Sequence, residues 1–209
     1  MARIPSINGN HKICVICEGY EDYEYFNRLL ELRVWSDSYD FHTINAKSAS
    51  NIPARFQNAF QNDMYELILV FCDTDKEPYR EYKKKKKKIN QFLSKTKASD
   101  KLIIFANPCT MQIILSHFGN VSLKNQGKKT NASVIEQYTG VSDYDAHDDQ
   151  IKNICKQIYK RTYPDMKRRV ETINLPDTIS GSTNFFLFLE RFENDNTNWI
   201  SEINRYIKN

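Results

Sequence analysis

Glycine is scarce in this chain, six among 209 residues. There is no glycine-rich dinucleotide fingerprint and no Walker A lysine motif, which excludes ATP hydrolysis by that route. Long hydrophobic runs are missing too, and the apolar stretches fall far short of the roughly 20 residues needed to span a bilayer. The start, Met1-Ala2-Arg3-Ile4-Pro5-Ser6-Ile7-Asn8-Gly9-Asn10, has no apolar h-region, so a cytoplasmic protein without a membrane partner is expected. No internal repeat is visible. The five cysteines are odd in number, which argues against a disulfide framework. Cys14 and Cys17 have C-x-x-C spacing but fall in an apparent strand, where an odd separation puts them on opposite faces. They do not easily clasp one zinc, and the cysteines read as small core residues.

Hydrophobic residues make up 40% and aromatics 12%, ample for one good-sized domain, or for a domain with a helical extension. The net charge of +4 permits nucleic acid as a partner without demanding it.

Hydrophobic periodicity gives an alternating β-α order over the first half. Strands are expected at 12–17, 39–44, 67–72 and 101–106. Helices are expected at 21–34, with Tyr23, Phe26, Leu30 and Val34 on its stripe, from Ser50 through Phe60, at 78–94 and at 109–118. That order implies a parallel four-stranded sheet with right-handed crossovers. After Gly119 the pattern changes: residues 121–130 read as a polar loop, 141–149 as an acidic turn, and 131–138, 150–161, 165–172, 184–192 and 197–207 as helices. Phe185, Phe186, Phe188, Leu189 and Phe192 are spaced as a core face. The expected division is a domain at 11–118 and a helical portion at 119–209, packed on the sheet or lending it a lid.

Two of the apolar runs stop abruptly at acids. Ile13-Cys14-Val15-Ile16-Cys17 ends in Glu18-Gly19, and Leu67-Ile68-Leu69-Val70-Phe71-Cys72 ends in Asp73-Thr74-Asp75. Open α/β sheets place their sites at the carboxyl ends of strands, and two unit charges about 4 Å apart repel by about 4 kcal/mol at an effective dielectric of 20. A chain that gathers like charges there points to a divalent cation. The plainer reading is that each acid caps a neighbouring helix. Glu21 and Glu24 read as solvated helix residues, His117 as a core or C-cap histidine and His147 as part of a solvated loop.

Glu18-Gly19, Asp73-Thr74-Asp75 and Asn107-Pro108-Cys109, each ending a strand, together resemble a Toprim domain, most of all its RloB-like and OLD-like branches from bacterial phage-defence loci. The resemblance covers about residues 11–118 and implies a Rossmann-like Toprim α/β fold. It also implies a Mg²⁺- or Mn²⁺-dependent phosphodiester-cleaving site. On that resemblance Glu18, Asp73 and Asp75 are the catalytic acids. Metal ligands would come from Glu18, Asp22, Asp73, Asp75 and Glu77, the last extending the pattern to D-x-D-x-E. Asp73 and Asp75 share one site if the strand continues through them. RloB-like relatives read N-P-C-F-E, whereas here Thr110-Met111 follows Cys109. Methionine is no hard-cation ligand, so a carboxylate from elsewhere, such as Asp143, Asp145 or Asp148, is needed, or one metal is weakly held.

Lys83 to Lys88 form an unbroken run of six lysines. They read either as a solvated face with snorkelling stems or as a phosphate-binding surface with steep salt dependence. Lys83, Lys84, Lys87, Lys128 and Lys129 are the candidate nucleic-acid contacts. The expected function is a metal-dependent nuclease acting on DNA or RNA, with tRNA among the substrates considered. The resemblance further implies an ABC- or SMC-like ATPase as partner. Two rivals remain: a degenerate Toprim module that binds without cutting, which Met111 favours, and a small-molecule phosphotransferase using Asp73-x-Asp75.

Overall fold

The computed structural model describes residues 10–75 and 77–208. Its centre is a four-stranded, all-parallel sheet in the order β2-β1-β3-β4, formed by β1 (His11–Cys17), β2 (Tyr39–Asn45), β3 (Leu67–Asp73) and β4 (Ile103–Ala106). The central strands are apolar without alternation because helices cover both faces. Ile13 to Cys17 and Leu67 to Cys72 are all buried. Register pairs Cys17 with Phe71 and Asp73 with Ala106, so the carboxyl ends of β1, β3 and β4 form one rim.

Four helices connect or follow the strands: α1 (Tyr20–Glu31), α2 (Ile52–Gln61), α3 (Arg80–Phe92) and a short α4 (Ala98–Leu102) leading into β4. Then come α5 (Met111–Leu115), α6 (Lys128–Thr139), α7 (Asp148–Lys156), α8 (Tyr163–Thr172), α9 (Phe185–Phe192) and α10 (Asn198–Lys208). One core runs through both halves. Phe71 of β3 stacks on Phe185 of α9 at 5.5 Å, and Phe192 meets Phe41 of β2 at 4.9 Å and Phe26 of α1 at 6.3 Å. Each such ring contributes about 1.5–3 kcal/mol by leaving water. The helical portion is thus packed on the sheet and is part of its core.

The β4 edge is capped by the segment entering α9. The Asn184 amide accepts from Phe105 N and donates to Ile103 O, both at 2.8 Å, and Thr183 bridges to Ala106. Those bonds occupy main-chain groups that an open edge would offer to another strand.

Several boundaries differ from the sequence reading. Helix α1 ends at Glu31, and its buried residues are Asp22, Tyr25, Phe26 and Leu29, so the inward face is turned about one position from the Tyr23–Leu30 stripe. Residues 98–102 are helical and β4 begins only at Ile103. Ser50 lies in a 3-10 turn, and α2 starts at Ile52 with Pro53 in its first turn. Helix α6 begins at Lys128, inside the segment expected to be a loop. No described helix is long and apolar enough to cross a membrane.

Candidate functional site

The rim formed by β1, β3 and the start of α5 carries a cleft of about 320 Å³ lined by Glu18, Glu21, Asp22, Asp73, Met111 and Lys128, among others. Glu18 follows the last residue of β1, and its N–H still bonds Phe71 O across to β3 at 3.0 Å. Asp22 stands in the first turn of α1, where a carboxylate suits the helix N-terminus. It accepts from Gly19 N at 2.9 Å. Asp73 is the last residue of β3.

Thr110 ties Asp22 to Asp73. Its hydroxyl lies in hydrogen-bond contact with Asp22 Oδ1 and 3.1 Å from Asp73 Oδ1, while its N–H donates to the same Asp73 oxygen at 2.8 Å. A hydroxyl carries one proton, so it donates to one carboxylate at a time. Full ionisation of both leaves one of them without that donor. Thr110 itself is fully buried.

Lys85, the third of the six lysines, points inward. Its ammonium is paired with Glu18 and donates to Asp73 O at 3.0 Å, and its side chain is only 3% exposed. A helix that packs Tyr82 and Ile89 against the core necessarily brings position 85 to the same face, since i, i+3 and i+7 align. An ammonium is buried at tolerable cost only when paired and hydrogen-bonded. The strand-end acids supply both.

Charge crowding is evident in the ionisation of the group. Burial pushes Asp22 up to about 7, with Glu18 adding to the rise and the Thr110 hydroxyl opposing it. Burial, then Asp22, Glu18, Glu21 and Asp75, pushes Asp73 well above the carboxylate range. Burial raises Glu18 against the pull of the Lys85 ammonium. For Lys85, burial works the other way, yet Cys72, Glu18 and Asp73 around it leave its pKa raised. The cleft thus gathers more acids than Lys85 can balance as carboxylates, and their raised pKa values favour the protonated forms.

The remaining expected residues are placed unevenly. β3 stops at Asp73, and Asp75 takes a left-handed backbone at φ 60°, its N–H bonding Pro108 O at 3.2 Å. The premise of a strand continuing through both aspartates therefore fails. Asp75 borders the group, where burial raises its pKa against Lys85, but it does not line the cleft. Glu77 is exposed on the turn before α3. Lys83, Lys84 and Lys87 are exposed on α3, outside the cleft, whereas Lys128 is exposed at its mouth with Lys129 next to it.

Asp143, Asp145 and Asp148, suggested as substitutes for an acid at position 111, are exposed and line no part of the cleft. The carboxylate beside Met111 is that of Glu21, bonded by the Tyr144 hydroxyl. Burial raises its pKa, with Tyr144 and Lys128 opposing. Glu21 is therefore no solvated helix residue. Its signal in the sequence is the i+4 relation to buried Tyr25. His117 is buried between Tyr25 Oη at 3.1 Å and Thr162 Oγ1 at 2.9 Å, away from the cleft.

Among the described residues no three His, Cys, Asp or Glu side chains form a ready-made metal ligand set. The donors present are nonetheless hard carboxylate oxygens, the type Mg²⁺ takes one or two at a time with waters and substrate phosphates. Glu18, Asp22 and Asp73 fit that use, and they do not fit an all-protein cage. Comparison with protein-family models, curated proteins and solved structures gives no match for this chain.

Proposed function

We propose that this chain is a metal-dependent nuclease of Toprim type, cleaving phosphodiester bonds in DNA or RNA. The observation that carries the reading is the joining of Asp22 and Asp73 through Thr110, beside Glu18, at the carboxyl rim of two adjacent parallel strands. A divalent cation bound there, Mg²⁺ or Mn²⁺, would supply charge neutralisation and water activation. Glu18, Asp22 and Asp73 would hold it. Thr110 fixes the direction of two carboxylates, Lys85 restrains Glu18, and Glu21, with its raised pKa, is suited to holding a proton at the cleft wall. Lys128 at the mouth would meet the polyanion. We further assign the activity to cytoplasmic phage defence with an ABC- or SMC-like ATPase as partner, on the strength of the sequence resemblance alone.

One observation favours the second reading, a Toprim module that binds without cutting. The Lys85 ammonium already pairs with Glu18. Incubation of purified protein with DNA, total RNA and tRNA in Mg²⁺ or Mn²⁺, beside Asp73→Ala, separates the two. Cleavage by the wild type alone supports the nuclease. Binding without cleavage supports the second reading, and phosphate release from a small ester alone supports a phosphotransferase.

A further inference from the structure

A second concavity, about 650 Å³, lies along α3 and shares no lining residue with the acidic cleft. Tyr79 and Tyr82 form its inner wall, the 94–96 turn closes one end, and Asp177 and Thr178 border it. The helix presents Lys83, Lys86 and Lys87 to it, with Lys95 beyond the helix end. Lys86 is neutralised, lying 2.9 Å from both Asp100 and Asp177. Lys83, Lys87 and Lys95 have no carboxylate within ion-pair distance among the described residues. Lys83 instead lies over the Tyr79 ring at 5.9 Å.

We propose that this groove is a binding track for a single-stranded polynucleotide, engaging its phosphates through Lys83, Lys87 and Lys95. This rests on the nuclease reading of the chain and names the surface that would hold the strand away from the acids. Three lysines outside any ion pair among the described residues border one groove, more positive charge than a single phosphate balances. Lys83 and Lys87 stand one turn apart on α3, about 6 Å along its axis, and Lys95 follows the helix in the turn where its N–H bonds Asn90 O at 3.0 Å. Such cations, beside lysine stems and two largely buried tyrosines, suit contact with successive phosphates of a flexible strand. The acidic cleft, by contrast, is lined by Glu18, Glu21, Asp22 and Asp73, which offer a polyanion no attraction, so initial capture falls to a surface such as this one.

The test is fluorescence anisotropy with a labelled oligothymidylate of about a dozen nucleotides, in EDTA so that cleavage plays no part. The full chain is compared with K83A/K87A/K95A and with a charge-matched K156A/R161A/K208A control. The groove variant is expected to lose at least tenfold in affinity. Its slope of log K against log salt should be shallower by about 2, from about 0.7 per phosphate contact removed. The control should bind as wild type does. Wild-type affinity in the groove variant, or an equal loss in the control, overturns the proposal. So does displacement of the probe by thymidine monophosphate at equal phosphate concentration, or by polyglutamate at equal charge. The cleavage reading fails separately: if no nucleic acid is cut in Mg²⁺ or Mn²⁺ while groove binding persists, the track stands without the nuclease.

Discussion

The ammonium of Lys85, in the middle of α3, is paired with the carboxylate of Glu18 at the end of β1. One member of a six-lysine run is therefore the resident counter-charge of an acidic rim, held between a carboxylate and the Asp73 carbonyl. Lys85→Met removes that charge and leaves Glu18 half-buried among acids. Breaking a buried pair from one side costs about 3–5 kcal/mol, so a large fall in Tm is expected. Millimolar Mg²⁺ should recover more of that loss in the variant than it adds to the wild type. Thermal denaturation with and without the cation checks this, and an equal response in both proteins would detach Lys85 from the proposed cation site.

Thr110→Val tests the link between Asp22 and Asp73. Valine keeps the shape, loses the hydroxyl and leaves the Asp73 bond from the 110 N–H. The expected cost is about 1–3 kcal/mol for a buried acceptor left unpaired. It should shrink as pH falls through about 7, where Asp22 takes a proton, because a neutral carboxyl loses less than a carboxylate when it is left without that donor. Thr110→Ser should restore the bonds. Urea denaturation at two pH values reads the difference.

Ionisation at two sites should act on stability in opposite senses. His117 is buried and neutral, its pKa lowered to about 3 by burial and then by Arg169. The unfolded chain binds the proton first, so this residue's contribution is lost as pH falls below its unfolded value of about 6.5, by about 2 kcal/mol at pH 5. Asp22 has its folded pKa raised to about 7. Its ionisation destabilises the fold as pH rises through about 4 to 7 and is fully felt above that. The stability difference between His117→Gln and wild type should therefore narrow toward acid. The advantage of Asp22→Asn should grow toward alkaline pH. Urea titrations from pH 5 to about 8 measure both slopes; flat differences would show that neither group titrates with folding.

The sheet was legible because both central strands are uninterrupted apolar runs, and a parallel strand covered on both faces has no other pattern. Glu18 and Asp73 followed directly as strand-end residues. The inward turn of Lys85 was hidden by its neighbours: six identical residues give no contrast from which to choose a face. Only the flanking Tyr82 and Ile89 mark position 85 as internal. Glu21 was missed for a related reason, since the stripe was drawn through Tyr23 and Leu30, whereas packing follows Asp22, Tyr25, Phe26 and Leu29. Asp75 was placed with Asp73 by assuming an extended chain, and its left-handed backbone ends that register. The helix at 98–102 escaped because Leu102 to Phe105 is a continuous apolar run, in which periodicity cannot separate a helix end from a strand start.

The central claim is that Glu18, Asp22 and Asp73 together hold a hard divalent cation. Titration of Mn²⁺ into the protein, followed by the electron paramagnetic resonance signal of the free ion, measures it directly. The wild type should deplete the free signal saturably, Mg²⁺ should compete, and Asp73→Asn, which keeps the Thr110 bonds, should weaken binding at least tenfold. A free-Mn²⁺ signal that the wild type leaves unchanged, or depletion equal in Asp73→Asn, would contradict the account.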